Sequence, residues 1–413
     1  RRDSEAFEAM GLEVRVLADP PRRCHEESAW RLTARPAGGE PFVLESAWPY
    51  GFSPSAQGSV ALGLEPSAGA AWLTARPPRL REGDAPAVVL VDGATTSDGR
   101  FPVVRHLRGR AAAAVPHFGL SRPDGVRLRA LLAEGTAVAI DFALEAEIRE
   151  ASPLTVVARL PARAPRGEPW SEDHLLVCAH GDSDAGGPGA DDNASGVAAV
   201  LEVAQAWSQA VAAGQVEAPS REVRFAVWGS EIHSSRAYLQ RRGREDGQLL
   251  GVINFDQAGY GSGADRVYVE PDDLPANRAM ARTLLAVLRD HAPRGEGGGP
   301  GAFPREWASV RSLGGTDSYV FSASSDFRER GLPAMTVYAS AWGDPAEHPR
   351  TDGMPGESWS ERDVVAVDHD VYYHSAGDTP ENTTEREPWN TAWCARVALL
   401  GARRFLAGYE EAR

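Results

Sequence analysis

From residue 153 onward short apolar runs alternate with amphipathic segments, and that order leaves few architectures open. PLTVVARL, HLLVCA, EVRFAVWG, GVINFD and PAMTVYAS read as strands. Between them, SSRAYLQRR and NRAMARTLLAVLRDHA read as helices. The segment after Asn193 is a further helix, with Val197, Val200, Leu201, Ala204 and Trp207 on one face at helical period. Strands alternating with helices predict an α/β unit whose sheet is covered on both faces. Ligands in such sheets sit at the carboxyl ends of the strands.

Those strand ends carry the chemistry. HLLVCA runs out into His180 and Asp182, EVRFAVWG into Ser230 and Glu231, and GVINFD into Asp256. A later segment, DVYYHSAGDTPEN, adds His374 and Asp378. Four separate segments thus bring acids and imidazoles to one edge of one sheet. Carboxylate oxygen and neutral imidazole nitrogen are the donors that borderline divalent ions take. Two ions a few ångströms apart need a bridging carboxylate, which the Asp191-Asp192-Asn193 run after Gly189 can supply. The letters GDSDAGGPG also echo the nucleophile loop of serine proteases. Ser183 stands only three residues from His180, too close for a nucleophile–base pair, and an all-β pattern is missing.

The composition excludes several classes. With 413 residues the chain has room for two domains, and 42% hydrophobic with 24% charged residues is ordinary for a globular protein. No apolar run is long enough for a membrane span. A formal charge of −15 without a basic stripe argues against nucleic acid as a partner. All 43 basic residues are arginine, which removes lysine-based mechanisms. Cys24, Cys178 and Cys394 form no metal motif; Cys178 falls in an apolar strand, and a Cys24–Cys394 bridge is an open possibility. The chain starts RRDSEAFEAM, with no signal-peptide pattern, so a targeting segment is expected to have been removed or never to have existed.

Residues 1–18 read as a helix, a glycine stop and a strand. From about 50 to 150 the composition shifts toward Gly, Ala, Ser and Pro, with AVVLVDG and TAVAIDFAL as strands and RGRAAAAV and GVRLRALLAEG as helices. Lacking a His, Cys or acid cluster, this stretch is expected to be a lid or access module. The expected division is 1–49 as the start of the main domain, 50–150 as the insert, and 151–413 as the remainder.

His180-x-Asp182, GADDNASG, FAVWGSE, INFD and YYH…DT occur here in the order of the co-catalytic zinc aminopeptidase family, which the chain resembles over about 153–413. That family, metallopeptidase family twenty-eight, contains bacterial leucyl aminopeptidases, glutamate carboxypeptidases and glutaminyl cyclases. The resemblance implies a three-layer α/β/α sandwich with a mixed, mostly parallel sheet and a protease-associated-like insert at 50–150. It also implies one or two zinc ions, a peptide substrate, and a secreted or periplasmic setting. His180 and Asp256 match ligands of the first zinc, Asp192 the bridging carboxylate, and His374 a ligand of the second. Asp182 matches the acid that orients His180, and Asp378 is expected to steady the His374 loop. Asp191 is expected to turn away and bond loop backbone, Asn193 and Ser195 to cap the helix. His174 and His369 are expected to be ordinary polar residues, and Asp317 a loop acid or turn cap.

One motif departs from the family. Consecutive glutamates should follow the third strand, a general base and then a ligand of the second zinc, but this chain reads WGSEIHSSRAYL. Counted from the strand, Glu231 is the base and Ile232 stands where the ligand belongs. Counted from the helix, the loop is displaced, so Ile232 need not be a true substitute; Glu231 as ligand with Ser230 at the base position stays open. His233 is a candidate replacement ligand. The favoured reading is metal-assisted peptide hydrolysis from the N-terminus with Glu231 as base. A silent binding protein, a hydrolase of non-peptide amides and a cyclase-like acyl transferase are the rivals.

Overall fold

A computed structural model of the protein describes residues 2–78, 80, 86–96, 98–107, 114–162, 173–241, 247–261, 266–293, 301–310, 317–324, 331–340 and 371–411. The chain enters through helix α1 (Arg2–Ala9), turns at Gly11 with φ +76°, and forms strand β1 (Glu13–Ala18). Eight strands follow: β2 (Arg22–Pro36), β3 (Phe42–Val43), β4 (Trp48–Pro49), β5 (Ala56–Gly63), β6 (Ala71–Thr74), β7 (Val88–Val91), β8 (His117–Gly119) and β9 (Val138–Ala151). Helix α2 (Arg122–Ala133) sits between the last two, with Ser121 Oγ accepting the Asp124 amide. Then come β10 (Leu154–Leu160), β11 (His174–His180), α3 (Gly196–Ala212), β12 (Glu222–Trp228), α4 (Glu231–Arg241) and β13 (Leu249–Phe255). The chain continues through β14 (Arg266–Glu270), α5 (Arg278–His291), β15 (Glu306–Ser309), α6 (Asp317–Ala323), β16 (Ala334–Tyr338) and α7 (Trp389–Glu411).

These strands make two sheets. The first has the order β1-β10-β12-β11-β13-β16-β14-β15. Its centre is parallel, with β12, β11, β13 and β16 side by side, while β1, β10 and β14 meet their inner neighbours antiparallel. The sheet is therefore mixed and mostly parallel, as expected. Along β11 successive side chains alternate between the two faces. Leu175, Val177 and Ala179 pack with Val200, Val203 and Trp207 of α3, Leu284 of α5 and Trp393 of α7. Leu176 and Cys178 face the other way, toward Tyr238 of α4 and Phe321 of α6. With every residue of β11 buried, its leucine and valine side chains each contribute about 1.5–3 kcal/mol, and the strand has no solvated face to slip onto. Each face of the sheet carries a helical layer, which completes the three-layer arrangement.

The second sheet has the order β3-β2-β9-β5-β6-β7-β8-β4. Strands β2 and β9 form a long antiparallel ribbon from Arg22↔Ala151 to Pro36↔Val138. Residues 22–49 therefore pair within the second sheet rather than extending the first. The reason is visible in β2, whose outer half (RRCHEESAW) is partly exposed and finds partners only in the equally polar β9. Leu32, Leu73, Leu90, Phe118, Leu128 and Ile140 form this sheet's own core.

All three cysteines are free. Cys24 lies on the outer part of β2, whereas Cys394 is buried in α7 against the first sheet, so the Cys24–Cys394 bridge is not formed. Most of RGRAAAAV and all of His369 lie outside the described residues. Among the described residues no helix is long and apolar enough to cross a membrane.

Candidate metal centre

The parallel strands β12, β11 and β13 end side by side, so His180, Ser230–Glu231 and Asp256 are delivered to one edge by pairing alone. Asp192 arrives on the turn that leads into α3. Gly189, at φ +66°, makes that turn, and a Cβ there would lie 2.5 Å from Ser183 Cβ. The result is a cluster in which His180, Asp192 and Asp256 each offer a donor atom within 4.8 Å of the other two. His180 Nε2 lies 3.3 Å from Asp192 Oδ1 and 3.5 Å from Asp256 Oδ1. The second oxygen of Asp192 lies 3.0 Å from His374 Nε2. One carboxylate thus faces two imidazoles with a different oxygen to each, the geometry of a bridge.

Protonation shows what this cluster lacks. His180 Nδ1 makes a 2.9 Å hydrogen bond with the backbone carbonyl of Asp182, so it carries the proton. Nε2 then faces two carboxylates, so that either a second proton or a metal cation must stand between them. Asp256 Oδ1 is buried and makes no hydrogen bond among the described residues. Burial alone would lower the His180 pKa, but Asp182, Asp192 and Asp256 together raise it well above the ordinary imidazole value. His374 is raised for the same reason, by Asp192, Asp184 and Asp256 against its burial. Burial would raise Asp192, yet the two imidazoles pull it far below the usual carboxylate range. A divalent cation meets this demand with the donors zinc favours, and the residues present fit one.

The surrounding contacts fix the cluster. Asp182 Oδ1 lies 3.3 Å from His180 Nδ1 and accepts the amide of Glu231 at 2.9 Å. It therefore ties the imidazole to the first residue of α4, where an acid is favoured by the helix dipole. Asp191 turns away, its Oδ1 accepting the Gly259 amide at 2.7 Å. Asn193 Oδ1 accepts the Gly196 amide, but Ser195 does not cap α3; its hydroxyl donates to the Asp191 carbonyl. Asp378 does something other than steady the His374 loop. Its two carboxylate oxygens accept the amides of Asp191 and Asp192, at 2.8 and 3.0 Å, and so hold the turn that carries Asp192. Burial lifts the Asp378 pKa to about 6 despite those two donors. The His374 loop, with His374 at φ +51°, is instead held by the second sheet's connection. Val104 N–H donates to the His374 carbonyl and Ala376 N–H to the Pro102 carbonyl.

His233 is not brought to the cluster. It lies two positions after Glu231 in α4, most of the way to the opposite side of the helix, and its Nε2 lies 2.8 Å from the Pro20 carbonyl. Ile232 and His233 both line the cleft, but Ile232 offers no donor atom and His233 is outside the cluster of His180, Asp192 and Asp256. His174 is buried at the start of β11, 3.4 Å from the Tyr238 hydroxyl, and far along the strand from the cluster. Asp317 begins α6.

A cleft of about 430 Å³ opens over the cluster. Glu231, Asp182, Ser230 and Ile232 line it, as do residues that the sequence reading missed, among them Arg22, His106, Asp184, Glu270 and Tyr373. Arg22 and His106 come from the second sheet, so that module contributes side chains to the cleft instead of only covering it. Arg22 donates to Ser230 Oγ at 2.5 Å. His106 Nε2 lies 3.0 Å from His25 Nε2, and Glu27 backs His25 at 2.8 Å. Asp184 stands between His106 and His374, 3.6 and 3.3 Å from their Nδ1 atoms. Tyr373 stacks on His374 with ring centroids 3.7 Å apart; burial and then the charge of Asp192 push its phenol pKa well up, so it stays protonated.

Known proteins share both sequence and fold with this chain. The leupeptin-inactivating enzyme 1 of Streptomyces exfoliatus is 32% identical over 181 residues, covering 38% of this chain and 39% of that protein. An aminopeptidase of Pseudomonas aeruginosa is 33% identical over 149 residues, covering 33% of this chain and 26% of its own length. These matches span less than half of either relative. Among solved structures, a zinc aminopeptidase from Bacillus subtilis superposes with a TM-score of 0.56 at 17% identity, over 99% of this chain and 87% of that one. An aminopeptidase from Aneurinibacillus sp. strain AM-1 gives 0.52 at 19% identity, over 98% and 87%. At those identities the superpositions establish the fold alone. The decisive match is to the description of Peptidase family M28, because residues 155–399 run from β10 into α7 and carry every strand end that supplies the cluster. The chain belongs to Peptidase family M28.

Proposed function

We propose that this protein is a zinc-dependent aminopeptidase, removing N-terminal residues from peptides by attack of water, with Glu231 as general base. The observation that carries the reading is the convergence of His180 Nε2, Asp256 Oδ1 and Asp192 within 4.8 Å of one another, with the second Asp192 oxygen turned to His374. The zinc named for the Bacillus subtilis structure supports the choice of ion. His180, Asp192 and Asp256 would hold one zinc, and Asp192 with His374 a second. Zinc, when bound, supplies Lewis acidity to the attacking water and the scissile carbonyl.

The chain's own residues do the rest. Glu231 lines the cleft beside the cluster, held at the start of α4 by the Asp182 carboxylate. It takes a proton from the attacking water and returns it to the departing amine. Tyr373, kept protonated, has an O–H to offer the developing oxyanion. The second ion position is the weaker one, since Ile232 brings no donor and His233 is engaged by Pro20. The 50–150 stretch acts as a protease-associated-like module that walls the cleft, consistent with His106 lining it.

Metal content per chain, measured with turnover of a panel of aminoacyl p-nitroanilides, tests this. At least one zinc per chain and hydrolysis lost in Glu231→Gln are expected. Zinc without turnover of any substrate would leave a binding protein.

A further inference from the structure

Glu270 ends β14 at the wall of the cleft and is only 4% exposed. Among the described residues no arginine or histidine pairs with it; its one hydrogen bond comes from the Tyr338 hydroxyl at 3.5 Å. Burial, with the nearby charge of Asp256, raises its pKa to about 7. A buried carboxyl with no cation beside it either holds a proton or receives a cation from a ligand, and Glu270 stands where a ligand can reach it.

Its position decides which ligand group that is. In the register of the sheet Thr336 pairs with both Asn254 and Glu270, so Glu270 lies two strands across from Asn254 and Asp256 lies two residues farther along. Strand spacing and rise put roughly 12 Å between the Asp256 and Glu270 Cα atoms. A substrate's α-amine is two bonds from the carbonyl that is attacked, so it stays beside Asp256. A group that reaches Glu270 must extend a side chain's length from the reacting centre. Thr336 and Tyr338 line the same part of the cleft, and Tyr268 stacks behind Tyr338 with ring centroids 5.2 Å apart, giving a rigid aromatic wall.

We propose that Glu270, with Tyr338, forms the subsite for the side chain of the substrate's N-terminal residue, and that it selects lysine or arginine. This rests on the aminopeptidase reading above. Norleucine matches lysine except for the ε-ammonium, so the comparison isolates the charge contact. Calorimetry with L-lysine and L-norleucine on the purified protein and on Glu270→Gln is the first test. L-lysine should bind at least about thirtyfold tighter than L-norleucine, and Glu270→Gln should erase the difference. Equal binding of the two amino acids to the unaltered protein would overturn the proposal and leave Glu270 a structural acid. The second test is kcat/KM for lysyl, arginyl and leucyl p-nitroanilides. Glu270→Gln should lower the basic substrates selectively; an equal fall for all three would mean that Glu270 holds the α-amine, and would also overturn it. A retained lysine preference in binding with no anilide turned over would refute the hydrolase reading and leave the subsite standing.

Discussion

His117 makes the stability of the second sheet sensitive to mild acid. It opens β8, fully buried, with its ring stacked on Tyr50. Its Nδ1–H donates to the Val115 carbonyl at 2.8 Å, and its Nε2 meets no partner among the described residues. Protonation would place a new N–H in apolar surroundings with nothing to accept it. Burial accordingly lowers the pKa from 6.5 to about 4, with the Val115 bond opposing only in part. Between those values the unfolded chain binds a proton that the folded one refuses. The stabilisation is therefore present above pH 6.5 and is lost as pH falls toward 4. From pH 7.5 to pH 5.0 the loss from this one residue comes to about 2 kcal/mol. Urea denaturation at the two pH values, on the unaltered protein and on His117→Asn, isolates it. Asparagine keeps an N–H for Val115 and does not titrate, so the variant should lose about 2 kcal/mol less across the interval. An identical pH dependence in both proteins would refute the argument that burial sets this imidazole.

Three further outcomes follow from the site. Glu231→Gln should lower kcat by about 10²- to 10⁴-fold while metal content, read by atomic emission, stays unchanged, because its amide bond to Asp182 survives. Ile232→Glu should raise the amount of zinc retained on dialysis toward two per chain, since it adds a carboxylate to the cleft that His374 also lines; unchanged stoichiometry would count against the two-donor account of the second ion. Gly259→Ala should destabilise the protein by about 1–3 kcal/mol in denaturant melts, because its Cβ would sit 2.6 Å from Thr384 Cγ2, 2.8 Å from Ser195 Cβ and 2.9 Å from Asp191 Oδ1.

The first sheet was legible because its inner strands are buried on both faces and write themselves as unbroken apolar runs, as in LLVCA and VINF. Their ends then pointed to His180, Glu231 and Asp256 without any knowledge of contacts. Glu270 obeys the same rule, an acid closing the apolar strand RVYVE, and was open to the same inference. The β2–β9 ribbon was only partly legible: TAVAIDFAL reads as a strand, but the polar run RRCHEESAW gives little sign of one, and the pairing of the two is tertiary. Arg22 and His106 belong to that class: nothing local marks them, and only the approach of one sheet to the other brings them to the cleft. Asp378 was found, but its partner was misjudged. Its neighbours in sequence suggested the His374 loop, while its carboxylate reaches instead to amides 187 and 186 residues earlier.

That reach gives the molecule a built-in order of completion. A ribosome that has delivered the chain as far as Tyr338 has released every strand of the first sheet, yet neither Asp378 nor His374 has emerged. Until they do, the amides of Asp191 and Asp192 lack the Asp378 carboxylate, and Asp192 faces one imidazole instead of two. The cluster is therefore complete only when the C-terminal stretch has joined residues that come nearly two hundred positions earlier in the chain.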